Sequence, residues 1–299
     1  MADSQVQNNG RYHLPLSDLQ LSSRIQLAHA LVEFLATEAG VDLLHIKGYA
    51  AQKGLYSTGR TSTDVDVLVR PSHIHILVEA LSTKGWKVVT TFQSGSIFRH
   101  ATTLWHDQWG HMDVHRHFPG VGIDPEEFFN LLWNFRQLKT IAQWPCHVPA
   151  PLHHALLITL HGARDPHRGD KDVQHLRKSL PEDDWDKLER LAIDVQAVLT
   201  FAAATGTLGQ WANHHEHDFW DVISRGGTRT ELFRARWRAS HNPAKRWELI
   251  RNSLLINRDH LRMKLQREPR TADYASEIRA RIHDVIQALR RRRSSAGGP

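Results

Sequence analysis

Two aspartates, Asp64 and Asp66, stand one residue apart in the run Arg60-Thr61-Ser62-Thr63-Asp64-Val65-Asp66-Val67-Leu68-Val69. Alternate side chains of a strand share a face, so the two carboxylates project together while Val65, Val67 and Val69 form an opposite, buriable face. Carboxylates fixed side by side repel each other unless a cation lies between them. Hard oxygen donors suit Mg²⁺, which takes one or two carboxylates and completes its shell with water and substrate phosphates. The segment reads as a metal–phosphate site at a strand end. A bare D-x-D also leaves open the plainer alternative, a solvated edge strand with two idle carboxylates.

Upstream lies Leu44-His45-Ile46-Lys47-Gly48-Tyr49-Ala50-Ala51. Together with Tyr56, Arg60 and the run from Asp64 to Val69, it resembles a bacterial, NTP-transferase-like family of uncharacterised nucleotidyltransferases, a branch of the superfamily of DNA polymerase beta type. In that superfamily a short strand ends in a glycine turn that opens a helix, a following strand carries D-x-D, and a third carboxylate sits on a later strand. The branch has Leu-Lys-Gly at the turn, where this chain has Ile46-Lys47-Gly48. It also has an Asp-aliphatic-His strand, which Met112-Asp113-Val114-His115 resembles. The likeness is sharpest over residues 44–70 and 111–118 and weaker through the C-terminal half.

The resemblance implies an α/β (α+β) fold: a nucleotidyltransferase core with a mixed β-sheet flanked by helices, plus a helical C-terminal domain. It implies Mg²⁺ (or Mn²⁺) as cofactor, an NTP as co-substrate and a hydroxyl compound as acceptor. Asp64 and Asp66 would bind the ion that carries the triphosphate. With Asp113 they would bind the ion that lowers the pKa of the acceptor hydroxyl, and Asp113 is the candidate general base.

The turn at Lys47-Gly48 needs a residue that lets backbone amides approach phosphate, which glycine does, and the helix that follows adds a favourable dipole. Lys47 is either a phosphate contact or a structural lysine pointing outward. Arg60 is either a bidentate phosphate or carboxylate clamp or one half of a turn-stabilising salt bridge. Within Arg168-Gly169-Asp170-Lys171-Asp172-Val173, the pair Lys171 and Asp172 resembles a Lys-Asp pair of related enzymes, toxin branches included, in which the lysine approaches the β/γ-phosphates. His175 stands where those enzymes have a second acid, and a surface charge run is the alternative. His161 and Arg164 could line the cleft, although a satisfied core histidine on an amphipathic helix is the commoner arrangement.

The chain holds 22 histidines. On a strand, His111, Asp113, His115 and His117 share a face, which admits a transition-metal site. The pairs His106-Asp107, His217-Asp218 and His283-Asp284 raise a His-Asp metal phosphohydrolase as an alternative, but ligands on several helices at the required intervals are not found. A degenerate fold acting as a basic RNA- or partner-binding module is a further alternative, against which Asp64, Asp66 and Asp113 all count.

Positioning these residues calls for the following elements. A helix from a Ser17 cap to about Glu38 is followed by strands at 41–46 and 64–69 and a helix at 72–84. Strands at 86–91, 96–105 and 111–118 and a helix at 124–135 complete the first half. The cluster Pro145, Pro149 and Pro151 marks a boundary. Beyond it helices are expected at 152–164, 171–179, 182–204 and 276–292. The expected division is a catalytic domain over 1–149, a helical substrate-binding domain over 150–293 and a disordered tail over 294–299.

With 299 residues and 23% charged residues the composition is that of a globular protein. The one cysteine, Cys146, excludes an intramolecular disulfide and fits a reducing compartment. No apolar run suits a signal peptide or a membrane span, which predicts a cytoplasmic protein without membrane contact. The net charge is +6, and the stretch Arg225–Arg270 holds thirteen Lys or Arg against Glu231, Glu248, Asp259 and Glu268. Such a stretch suits a polyanionic acceptor such as tRNA, or it is the solvated face of Arg-rich helices. The toxin-like reading leaves open a toxin–antitoxin partner.

Overall fold

The computed structural model describes residues 19–240, 242–254, 258–265 and 267–295. The Ser17 cap lies outside them. In chain order the first half comprises α1 (Leu21–Glu38), β1 (Leu43–Ile46), a 3-10 turn (Gly48–Ala50), β2 (Asp64–Val69), α2 (Ile74–Thr83), β3 (Lys87–Thr90), β4 (Ala101–His106), β5 (Gly110–His115) and α3 (Pro125–Asn134). A hairpin of β6 (Gln137–Ile141) and β7 (Trp144–Val148) follows. The remainder is helical: α4 (Pro151–Gly162), α5 (Gly169–Ser179), α6 (Glu182–Asp194), α7 (Val198–Thr205), α8 (His217–Ser224), α9 (Arg229–Ala239), α10 (Pro243–Leu254), α11 (Arg258–Leu265) and α12 (Thr271–Ser295). None of the described helices is long and apolar enough to cross a membrane.

The central sheet has five strands in the order β1-β2-β5-β4-β3. β2 and β5 run parallel, and the other pairings are antiparallel. Period-2 alternation sorts each strand between two cores. Val65, Val67 and Val69 of β2 and Met112 and Val114 of β5 pack on Ile25, Val32, Leu77 and Leu81 of α1 and α2. On the other face, Leu44, Ile46 and Leu68 join Leu156, Leu157, Leu160 and Leu176 of α4 and α5. α4 is buried nearly all round, from His153 to Leu160, as a central helix must be. This second core thus unites residues from both sides of Pro149.

Local chemistry sets several boundaries. Asp124 caps α3 by accepting hydrogen bonds from the amides of Glu126 (2.8 Å) and Glu127 (3.3 Å), and Pro125 supplies the fixed φ of the first turn. At Gly169 an added Cβ would meet the Gly162 carbonyl oxygen at 2.1 Å, so only glycine lets α5 start this close to the end of α4.

The structure corrects three expectations. The helix at 182–204 is two helices, α6 and α7, because Gln196 takes a left-handed φ of 54° between them. The strand at 96–105 begins later, at Ala101, after a turn that takes Arg99 to φ 53°. The hairpin β6–β7 occupies what read as a proline-marked boundary. Its turn uses Ala142 and Gln143 at φ 49° and 64°, positions where Asn-Gly would have signalled a hairpin. At the far end Ser294 and Ser295 continue α12, and residues 296–299 lie outside the description.

Candidate active site

The sheet register brings the carboxylates together. Asp66 lies directly opposite Asp113 on the parallel pair β2–β5, and Asp113 opposite Thr103 on β4. Residues facing each other across neighbouring strands share a face. Asp66, Asp113 and His115 each offer a ligand atom within 4.8 Å of the other two. Asp64, at the start of β2, stands outside that group. Its side chain takes a hydrogen bond from the Ser62 hydroxyl (3.3 Å), which also donates to the Asp64 carbonyl (3.0 Å).

Asp66 is buried and doubly partnered. Lys47 Nζ lies 2.5 Å and His115 Nε2 2.8 Å from the same oxygen, Oδ1. Burial works against its charge, yet Lys47 and His115 outweigh it and hold the carboxyl far below the usual range. Among the described residues Asp113 has only the Thr103 hydroxyl as a hydrogen-bond partner, 2.7 Å from Oδ1. Burial, reinforced by the charge of Asp66, pushes Asp113 up to about 6. Burial and Asp66 also raise Asp64. Burial holds His115 down to about 4, so its ring is neutral at pH 7 and donates from Nε2 to Asp66, while Nδ1 is buried without a hydrogen-bond partner.

Lys47 is brought inward by backbone strain. It sits at φ 59° and ψ −175°, a conformation L-residues rarely adopt, and its amide donates to His154 Nε2 at 2.9 Å. His154 is held neutral by burial, at about 3. Gly48 follows at φ 46°, and a Cβ there would meet Ser62 Oγ at 2.6 Å, so one turn fixes both the lysine and the serine that anchors Asp64. Of the two readings of Lys47, the side chain points into the site.

A second cation lies close by. Arg164, at the end of α4, packs over Phe98 and Phe118, with its Nη1 3.1 Å from His100 Nε2. Burial lowers it to about 10 against the pull of Asp66 and Asp113, and its buried Nε and Nη2 have no hydrogen-bond partner. His161 is held neutral by burial and by the charges of Lys47 and Arg164.

Arg60 pairs with an acid far away in the chain. Its Nε is 3.4 Å from Asp172 Oδ2, its Nη1 donates to the Thr61 carbonyl at 2.7 Å, and the guanidinium packs over Tyr56. The partner is therefore on α5, and the contact ties the loop before β2 to the helical half. Lys171 is exposed and pairs with none of these groups among the described residues. Of the histidine face on β5, only His115 joins the carboxylates. His111 is exposed against Trp105, and His117 approaches the Phe98 carbonyl. Ser62, Thr103, His100 and His154 carry no motif. Thr103 follows from the register of β4 on β5, which no local pattern encodes.

The donor set fits a magnesium-class ion: carboxylate oxygens of Asp66 and Asp113, with Asp64 beside them, in a site that otherwise leaves Asp113 short of positive charge.

Comparison with solved structures finds matches of low identity and low overlap. A crystal structure of the lincosamide antibiotic adenylyltransferase LnuA, lincomycin-bound, is 16% identical over 52% of this chain and 96% of its own, with a TM-score of 0.35. A solution structure of the antibiotic-resistance factor ANT(2'')-Ia is 12% identical over 66% of this chain and 100% of its own (TM-score 0.39). A nucleotidyltransferase-like protein from Paracoccidioides brasiliensis is 11% identical over 62% of this chain and 93% of its own (TM-score 0.39). No curated protein matches the sequence. The model of the family described as "Uncharacterised nucleotidyltransferase" matches residues 20–213, well over half of the chain, and so this protein belongs to that family of transferase enzymes.

Proposed function

We propose that the protein transfers a nucleoside monophosphate from an NTP to a hydroxyl acceptor, with Mg²⁺ (or Mn²⁺) bound at Asp64, Asp66 and Asp113. The observation that carries this reading is the apposition of Asp66 and Asp113 across β2 and β5 with Lys47 at their mouth. The acceptor oxygen forms a bond to the α-phosphorus, the bond from that phosphorus to the bridging oxygen breaks, and pyrophosphate leaves. When bound, the metal neutralises charge gathering on the phosphoryl oxygens.

The chain's own residues do the rest. Asp113 accepts the proton of the acceptor hydroxyl. Lys47 would meet the triphosphate once freed from Asp66. Glycine at the turn, which is a 3-10 turn of three residues and not the expected helix, would let the backbone come close to it. The unpartnered nitrogens of Arg164 offer further donors to phosphate, and Thr103 keeps Asp113 aimed. Arg60 and Asp172 steady the loop that enters β2, while Lys171, exposed on α5, would meet only an anion arriving from solvent. Residues 150–293 would form the acceptor side, and a polyanionic acceptor such as tRNA suits the basic stretch from Arg225. Asp64, Asp66 and Asp113 favour this reading over a non-catalytic binding module.

The test is label transfer from each α-³²P-NTP with Mg²⁺ into the RNA, protein and small-molecule fractions of a cell lysate. Label should enter one fraction and fall by at least about 100-fold in the Asp64→Ala, Asp66→Ala double variant. Equal labelling by the double variant, or none by the folded protein with any nucleotide, would overturn it.

A further inference from the structure

On the opposite face of the sheet from the carboxylates, Glu33 of α1, His45 of β1 and Cys146 of β7 converge. One donor atom from each lies within 4.8 Å of the other two, and all three residues are buried. They come from segments far apart in the chain, so only the tertiary fold assembles them.

His45 is the pivot. Its Nδ1 lies 2.8 Å from Nδ1 of the buried His29, a distance that needs a proton between the rings. With His45 as the donor, its Nε2 carries a lone pair. That Nε2 is buried 3.1 Å from Glu33 Oε2, so either a proton or a metal ion must lie between the ring nitrogen and the carboxylate. This is how a metal-binding histidine is usually prepared: one ring nitrogen tethered to a neighbour, the other presented to the ion. The remaining Glu33 oxygen, Oε1, is 2.6 Å from His147 Nδ1, and the His147 side chain is 31% exposed, which opens a path from solvent.

The chemistry narrows the ion. A carboxylate, an imidazole and a thiol form a mixed donor set that suits Zn²⁺ far better than Mg²⁺. A carboxylate and a thiolate together cancel the charge of a dication, which makes a buried ion tolerable there. We propose that Glu33, His45 and Cys146 bind a structural zinc ion. The ion ties α1 and β7 to β1, the strand that leads directly into Lys47. It is distinct from the magnesium-class site and does not depend on the proposed reaction.

The full-length, untagged protein would be purified under reducing conditions from zinc-supplemented medium and its metal content measured by mass spectrometry. About one zinc per chain is expected in the wild type and in Asp66→Ala. Cys146→Ser and Glu33→Gln should lose most of it. After chelation, Co²⁺ added to the reduced wild type should give a thiolate-to-cobalt charge-transfer band and intense tetrahedral bands. Both should be missing from Cys146→Ser, whose folding is checked by circular dichroism. Because surface histidines cannot give the thiolate band, its absence from folded, reduced wild type would overturn the proposal, as would its persistence in Cys146→Ser. If the variants fail to fold, the wild-type cobalt spectrum alone decides.

Discussion

Asp113 is held in the fold at a cost. Burial and the charge of Asp66 raise it to about 6, so the folded chain holds this proton more tightly than the unfolded chain does. Stability from Asp113 is therefore fully present below the unfolded value and lost as pH rises from about 4 through about 6. Asp113→Asn should remove the penalty. In the absence of divalent ions at pH 7 the variant is expected to be more stable by about 1–3 kcal/mol, measured by urea denaturation, while losing transfer activity. Mg²⁺ reverses the sign by favouring the ionised carboxyl, so it should stabilise the wild type and leave the variant nearly unchanged. A variant less stable than wild type at pH 7 would show that Asp113 is not electrostatically strained. Asp66 behaves oppositely: its lowered value means that its contribution is present at neutral pH and lost in acid.

At the scale of elements, the turn between β1 and β2 is the tightest constraint on the site. Gly48 takes φ 46°, a Cβ there would come within 2.6 Å of Ser62 Oγ and 2.8 Å of Ser62 Cβ, and Lys47 before it takes φ 59°. Gly48→Ala should therefore destabilise the protein by about 1–3 kcal/mol and displace Ser62, hence Asp64. Removing the obstructing side chain tests the cause: Gly48→Ala with Ser62→Gly should recover part of the stability lost, read in the same denaturation experiment. Additive losses would place the strain in the backbone angle alone. The glycine and the D-x-D were legible in the sequence because each rests on a local rule, one of sterics and one of strand period. The hairpin β6–β7 was not, since Ala142 and Gln143 adopt turn angles that their side chains do not advertise.

Across the whole molecule, charge counting needs the fold. Of the thirteen basic residues between Arg225 and Arg270, Arg225, Arg229, Arg238, Arg258, Arg262 and Arg267 are in ion pairs. Several partners, among them Asp218, Asp273 and Glu277, lie outside the stretch that was counted. Fewer cations are thus available to a polyanion than the sequence suggests. Binding of a single-stranded RNA, followed by fluorescence anisotropy, should show a log–log salt slope of about −3 or shallower, corresponding to roughly four phosphate contacts. A slope twice as steep would mean that these pairs open on binding.

The sequence by itself determined the class of chemistry. The pairing of Asp64 with Asp66, the glycine turn and the strand alternation follow from rules acting over a few residues, the helical second half follows from the hydrophobic pattern, and the mixed sheet and the place of Asp113 follow from the family resemblance. Only the tertiary structure decided which residues meet. The register of β2 against β5 put Asp66 beside Asp113 and His115, the entry of α4 brought His154 to Lys47, and α5 delivered Asp172 to Arg60. The cluster of Glu33, His45 and Cys146 was invisible for the same reason. Contacts between distant segments depend on packing and register, and neither is written in the spacing of the residues involved.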